Sequence, residues 1–242
     1  MTIRAGSRLE RVLHEEGFAV TAEVVPPRSA DPEPVRAQAR ALAGFADAAN
    51  VTDSPTGSAH MSPVAGAALV AAEGVEPTVQ LACRDRNRLA ITGDLFGAWA
   101  VGARNVLCLT GDRISAEDHP GAVEVHDLTV VDLVRFAAGL RDRGESLDGR
   151  PIDPAPRYFI GVADVPLARP YDAGRLEQKV EAGADFVQTQ IAYDVDSLGE
   201  WAADVRARGV FDRAFVLVGV APPRSAATAL YLRQHLPGVV VP

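Results

Sequence analysis

The stretch Ala22-Glu23-Val24-Val25-Pro26-Pro27-Arg28 decides between two architectures. Its first half is apolar apart from Glu23, as expected for a buried strand, and the two prolines end that strand. An open dinucleotide-binding sheet would need a glycine-rich turn here that leads into a helix, and Pro26-Pro27 cannot form one. The stretch therefore favours a barrel of parallel strands over an open doubly wound sheet.

Outward from this stretch, β-rich runs alternate with helical segments along the chain. The runs are continuously apolar, which is typical of parallel strands covered on both faces, and each precedes an Ala- and Leu-rich segment with helical spacing. This order predicts a parallel α/β fold, with residues 142–157 as a surface excursion. The predicted strands are 19–25, 48–52, 78–82, 105–109, 158–162, 186–190 and 215–220, and the predicted helices are 34–45, 61–73, 87–101, 129–141, 173–182, 195–208 and 225–236.

Composition limits the class of protein. The 242 residues are 48% hydrophobic and carry a formal net charge of -8, which suits one barrel domain over residues 1–242 and argues against a nucleic-acid or anionic-membrane partner. No apolar run resembles a signal peptide or a membrane span. Cys83 and Cys108 lie in apolar runs, and the five histidines lack the spacing of a metal site, so we expect reduced thiols, no metal and a cytoplasmic protein.

Polar residues gather where the predicted strands end. In a β/α barrel these ends meet at one face, where ligands bind, so a ring of carboxylates, amides and hydroxyls there predicts a polar ligand site. Each residue alone could equally be a helix N-cap. Glu23 is costly inside an apolar strand unless it has a function or an ion-pair partner, and we favour a function. The other members are Thr52, Asp53, Gln80, Thr110, Gly111, Asp112, Gln188, Thr189 and Gln190.

The loop Arg84-Asp85-Arg86-Asn87-Arg88 has two interpretations at this point. One is a solvated loop that ends in a helix N-cap. The other is a contact between arginine and a phosphate or carboxylate ligand.

Three motifs, in order and in register along nearly the whole chain, resemble those of methylenetetrahydrofolate reductases. They are the glutamate strand that runs into Pro26-Pro27-Arg28, the fourth strand Asn105–Leu109 with Thr110-Gly111-Asp112, and the segment from Lys179-Val180-Glu181-Ala182-Gly183-Ala184-Asp185 to Thr189-Gln190. Asn50-Val51-Thr52-Asp53-Ser54-Pro55 and Cys83–Arg88 further resemble the branch that is fused to homocysteine methyltransferase domains. No such domain is present in this sequence.

The resemblance implies FAD at the C-terminal face of the barrel, folate stacked on the flavin, and NADH or NADPH as electron donor, in one-carbon metabolism and methionine biosynthesis. It implies catalytic roles for Glu23 as proton donor, Asp112 as the carboxylate near the flavin pyrimidine edge, and Gln190 as the residue that hydrogen-bonds the pterin. Lys179 is implied as a phosphate partner. The cofactor-binding positions it implies are Thr52, Gln80, Leu109, Thr110, Gly111, Asp112, Ala163 and Lys179.

The sequence departs from the family pattern at several positions. Gln80 stands where many members have a flavin-contacting histidine, and Ala226 stands near an aromatic position over the folate. If the strands are simply counted along the chain, residues 239–241 would form the eighth. The family resemblance instead implies that this segment is a loop. The expected fold class is thus α/β, a (β/α)8 TIM-like barrel that lacks the last βα unit in this sequence, with a trimmed tail as the favoured explanation and closure by a partner as the other.

The sequence alone is also compatible with two other functions. The Gln80 departure suggests a flavin-independent reductase that uses NAD(P)H directly. The short C-terminus suggests a non-catalytic folate-binding or partner subunit. Unpaired sheet edges favour a homo-oligomer, and a partner redox protein is an alternative electron donor.

Overall fold

Seven strands alternate with helices in the computed structural model, which describes residues 2–236 and 238–241. The strands are β1 (Thr21–Val24), β2 (Ala48–Val51), β3 (Pro77–Ala82), β4 (Asn105–Leu109), β5 (Phe159–Asp164), β6 (Phe186–Ile191) and β7 (Phe215–Gly219). The helices are α1 (Arg8–His14), α2 (Glu33–Leu42), α3 (Pro63–Ala72), α4 (Arg88–Ala100), α5 (Val130–Arg143), α6 (Ala173–Glu181), α7 (Val195–Ala207) and α8 (Ala226–His235). The predicted parallel α/β alternation is therefore confirmed.

The chain forms two compact units, residues 1–160 and 161–242. In the first unit, β1 to β4 pair in parallel in chain order. One register row consists of Val24, Val51, Val79 and Val106, all fully buried, and it forms the apolar face of the sheet. Helix α3 packs against this face. The contact is so close that a Cβ on Gly66 of this helix would come within 2.8 Å of the Val51 side chain.

The adjacent register row of the same strands points to the opposite face, since side chains alternate along a strand. It consists of Glu23, Asn50, Thr78 and Asn105. A purely structural sheet would place apolar side chains in such a row. This polar row therefore distinguishes the face that carries Glu23 from the apolar face under α3.

In the second unit, β5 from Gly161 onward pairs in parallel with β6, and β6 pairs with β7. Gly161 lies opposite Phe186 in register, and its missing side chain leaves the room that the phenyl ring occupies. A Cβ at position 161 would lie only 2.2 Å from that ring. The close contact holds the middle of β5 against the first residue of β6.

The observed bounds agree closely with the predicted ones, and two differences are informative. Helix α1 was not predicted, and the excursion begins two residues later than expected because α5 continues to Arg143. The described residues 238–241 contain no strand, in agreement with the loop that the family resemblance implies, whereas Pro237 and Pro242 lie outside the described residues. Within the described chain, no helix combines the length and apolar character needed to cross a bilayer.

Candidate active site

Glu23 lies in β1 on the polar face of the first unit. Among the described residues it has no hydrogen-bond or ion-pair partner, so the ion-pair interpretation of this buried-strand glutamate finds no support. Its side chain keeps contact with solvent. Neighbouring protein atoms nevertheless displace part of its water, and this desolvation raises the pKa of the carboxyl. A carboxyl in such an environment holds a proton more readily than a free glutamate does.

The neighbours of Glu23 on this face are buried and unsatisfied. Asn50 is the register partner of Glu23 on β2, and Thr78 and Asn105 continue the row. One buried oxygen of each of these three residues, and the hydroxyl of Thr52, has no hydrogen-bond partner in the described structure. Buried polar atoms without partners are rare and costly, so these oxygens leave unused hydrogen-bonding capacity beside Glu23.

Asp112 follows β4 in a loop that is fastened to the loop after β2. The backbone N–H of Thr56 donates to the Asp112 carboxylate (2.8 Å). Gly111 has a φ of +95°, and a Cβ there would meet Arg84 Cβ at 2.8 Å and Ala82 Cβ at 3.0 Å. Only glycine fits this turn, which brings the Thr110-Gly111-Asp112 backbone directly against the end of β3.

The arginines of the charged loop bind the protein's own oxygens. Arg84 pairs with both carboxylate oxygens of Asp85 (2.6 Å each), and Arg86 bridges Asp53 and Asp94 (2.6 Å each). Arg88 pairs with Asp127 (2.8 Å). The predicted helix N-cap is confirmed, because the Asn87 side chain accepts the N–H of Ala90 (3.0 Å) at the start of α4. The ion pairs of Arg84 and Arg86 go beyond both interpretations, and contact with a ligand stays a prediction.

Asp53 is almost fully buried at the end of β2. It accepts the backbone N–H of Ala82 (2.8 Å) as well as the Arg86 guanidinium, and so connects the ends of β2 and β3. Burial raises the pKa of Asp53, while the positive charge of Arg86 acts in the opposite direction. Asp53 therefore has a structural role, since it joins the ends of two neighbouring strands.

In the second unit, Lys179 reaches from α6 to the end of β5. Its ammonium donates to the backbone carbonyl of Ala163 (2.7 Å). Burial lowers the pKa of Lys179, and the negative charge of Asp164 partly offsets this effect. Within the described residues the hydrogen bond of this half-buried ammonium goes to a neutral carbonyl, which leaves its charge available to an anionic group.

Asp164 is the polar residue of this unit that sequence reasoning missed. It is buried at the end of β5 and accepts from the Tyr171 hydroxyl and the Trp201 indole N–H (2.8 Å each). The prediction ended this strand at Val162, two residues short, so a carboxylate at a strand end was assigned to a loop. Its position after an apolar run was the signal that could have identified it.

Gln188 and Gln190 share one face of β6, and Thr189 points to the other. A buried Gln188 side-chain oxygen has no partner in the described part of the chain, whereas the Gln190 side chain accepts the N–H of Ile191 (2.9 Å). Thr189 accepts the N–H of Gly219 and donates to the Gln190 carbonyl (2.9 Å each). Thr189 therefore holds β6 to β7, and the two glutamines supply the amide groups of this face.

Nearly the whole chain matches a known protein family. The sequence profile described as methylenetetrahydrofolate reductase matches residues 8–242. The chain belongs to this family. The family resemblance inferred from the three motifs is therefore confirmed.

Curated relatives agree with this assignment. Methylenetetrahydrofolate reductase 2 of Saccharomyces cerevisiae is 30% identical over 159 residues, which cover 62% of this chain and 24% of the yeast protein. A probable methylenetetrahydrofolate reductase (NADPH) of Caenorhabditis elegans is 25% identical over 220 residues, or 84% of this chain and 30% of the nematode protein. The chain thus spans less than a third of the length of these relatives.

Solved structures support the TIM-like fold class. A Clostridium thermocellum protein that binds two copies of 5-methyl-5,6,7,8-tetrahydrofolic acid has a TM-score of 0.65 at 11% identity, with 98% of this chain and 76% of that chain covered. A 2,3-dimethylmalate lyase has a TM-score of 0.57 at 15% identity, with 95% and 78% covered. At such identities the likeness concerns the fold alone.

Proposed function

We propose that this chain reduces 5,10-methylenetetrahydrofolate to 5-methyltetrahydrofolate with FAD as cofactor and Glu23 as proton donor. The observation that carries the proposal is the environment of Glu23. The carboxyl has no ion-pair partner in the described structure, sits on a polar face with unsatisfied neighbours, and has a raised pKa. A structural glutamate has no need of these three properties, whereas a general acid does.

The residues present suit a flavin. The buried Thr52 hydroxyl has no partner among the described residues and is free to hydrogen-bond a cofactor. In the first unit, Thr52, Gln80, Leu109, Thr110, Gly111 and Asp112 would contact FAD. In the second unit, Ala163 would contact it, and the Lys179 ammonium would bind a phosphate.

The chemistry assigns each polar residue a task. Opening of the methylene bridge needs a proton on a weakly basic nitrogen, and a carboxylic acid with a raised pKa can donate it, an effect worth about 10²–10⁴ in rate. FAD held by these residues would supply the hydride for the one-carbon unit, with NADH or NADPH as the electron source. The Asp112 carboxylate disfavours additional negative charge beside it. The Gln190 amide can both donate to and accept from a pterin edge.

The second candidate function is that of a flavin-independent reductase. The presence of Gln80 is the observation that favours it. This side chain is buried in β3 at the position where the resemblance led us to expect a histidine that contacts flavin. In that case NAD(P)H would transfer its hydride to the folate directly. Folate reduction by protein that has been stripped of flavin would distinguish the two candidates.

An absorption spectrum of the purified protein tests the proposal. We expect flavin bands near those of free FAD, bleached by NADH or NADPH under anaerobic conditions and restored by 5,10-methylenetetrahydrofolate with formation of 5-methyltetrahydrofolate. Protein that stays colourless after incubation with FAD would contradict the flavin assignment. Bleached flavin that the folate does not reoxidise would contradict the substrate.

A further inference from the structure

Arg84 is a fully charged side chain in the interior of the first unit. Only 2% of its surface is exposed, and every end of its guanidinium has a partner. Nε and one terminal nitrogen form the two-pronged pair with Asp85. The other terminal nitrogen donates to the backbone carbonyls of Asp112 (2.9 Å) and Ser54 (3.3 Å).

These bonds tie together three separate strand ends. Arg84 itself follows β3, Ser54 follows β2 and Asp112 follows β4. The Arg84 backbone adds two bonds, because its N–H donates to the Thr110 carbonyl (3.1 Å) and its carbonyl accepts from Val125 (2.7 Å). The loop that carries Asp112 is therefore held to Arg84 from both sides.

The orientation of the Asp112 carboxylate depends on the same contacts. Its side chain accepts the N–H of Thr56, two residues after Ser54. Arg84 thus holds both ends of this arrangement, the Asp112 backbone on one side and the Ser54 carbonyl on the other. If either loop moved, the bond from Thr56 would be lost and the Asp112 carboxylate could rotate.

We propose that Arg84 is a positioning residue that fixes the Asp112 carboxylate against the flavin, and so sets the flavin reduction potential. The inference rests on the proposed function, since it presumes that flavin binds beside Asp112. Arg84 contributes little charge of its own to the site, because Asp85 neutralises it at 2.6 Å. Its action is therefore geometric and passes through Asp112.

The fork shape of arginine is what this role requires. Two parallel bonds to Asp85 lock the plane of the guanidinium, and the remaining nitrogen then points at the two carbonyls. Lysine would keep the charge but could not make the paired bonds in that plane. Arg84→Lys is therefore the variant that separates geometry from charge. Arg88→Lys is the matched control, since Arg88 is exposed and pairs with Asp127 outside the strand ends.

The first test needs no flavin. Hydrogen exchange of flavin-free protein should be faster in Arg84→Lys than in wild type for peptides that cover residues 54–57 and 110–114, and unchanged in Arg88→Lys. Unchanged exchange in both peptides would overturn the role of Arg84 as a clamp. Should Arg84→Lys fail to fold, Asp85→Asn removes the partner that locks the guanidinium, and the same two peptides should exchange faster.

The second test is a double-mutant cycle on the midpoint potential of bound flavin. A fixed carboxylate disfavours the anionic reduced flavin, so Arg84→Lys should raise the potential toward that of Asp112→Asn. In the Asp112→Asn background the same change should have no further effect. An equal shift in both backgrounds, or no shift with flavin bound, would overturn the inference. A wild type that binds no flavin would instead contradict the proposed function.

Discussion

At the residue scale, Glu23 links stability to pH. Desolvation raises its pKa above the ordinary 4.5, so the folded state binds the proton more tightly than the unfolded state does. The stabilising effect of the protonated form is complete below pH 4.5 and is lost as the pH rises through the folded-state pKa. The charged carboxylate therefore destabilises the fold at neutral pH. Glutamine at this position stays uncharged and should not have this effect.

We accordingly expect Glu23→Gln to melt at a higher temperature than wild type at pH 7–8, and to lose this advantage below about pH 4.5, where both side chains are neutral. Thermal melts of both proteins across this range measure the difference. A difference in melting temperature that does not change with pH would contradict the assigned environment of Glu23.

Sequence reasoning predicted some residues of the candidate site and left others unassigned. Glu23 and Asp112 stood out because a carboxylate inside or directly after an apolar run is visible in the sequence. Arg84 could not be assigned, because its partners are backbone carbonyls of two distant loops. Every residue type has a backbone carbonyl, so the sequence does not show which carbonyls an arginine will bind. Placement of the predicted site residues in contact with ligands stays a prediction.

At the element scale, Gly161 allows β5 and β6 to pair. Because the Phe186 ring is fully buried, it has no free space into which it could move away from an added methyl group. Gly161→Ala should therefore lower the free energy of unfolding by about 1–3 kcal/mol, as overpacking does. Urea denaturation measures the change.

Gly93→Ala in α4 is the matched control for this substitution. A Cβ at position 93 meets nothing within 4 Å, so the change should be neutral or should stabilise the helix by up to about 1 kcal/mol. A Gly161→Ala protein as stable as wild type would contradict the close contact between strands.

Strands were predictable because short runs of mostly apolar residues are bounded by polar segments, and β4 agrees at both ends. Helix α1 was missed because seven residues give too short a periodic pattern. Its signal was local, since Ser7 caps the helix by accepting the N–H of Glu10 (3.0 Å). Short helices that depend on one cap and on distant packing are hard to detect from hydrophobic spacing.

At the scale of the whole molecule, the prediction of one domain over residues 1–242 implies that the chain unfolds cooperatively, in one step. The boundary between the two units falls within β5, so one continuous strand contributes residues to both. We expect a single calorimetric transition whose van't Hoff and calorimetric enthalpies agree. Two resolved transitions would contradict the single-domain prediction.

The central claim, that Glu23 protonates the folate while flavin supplies the hydride, is tested most directly by stopped-flow absorbance of flavin-loaded Glu23→Gln. We predict that NADH or NADPH reduces the flavin of this variant at a rate close to that of wild type. Reoxidation by 5,10-methylenetetrahydrofolate should be slowed by about 10²-fold or more, because the amide has no proton to donate. Reoxidation at the wild-type rate would contradict the claim.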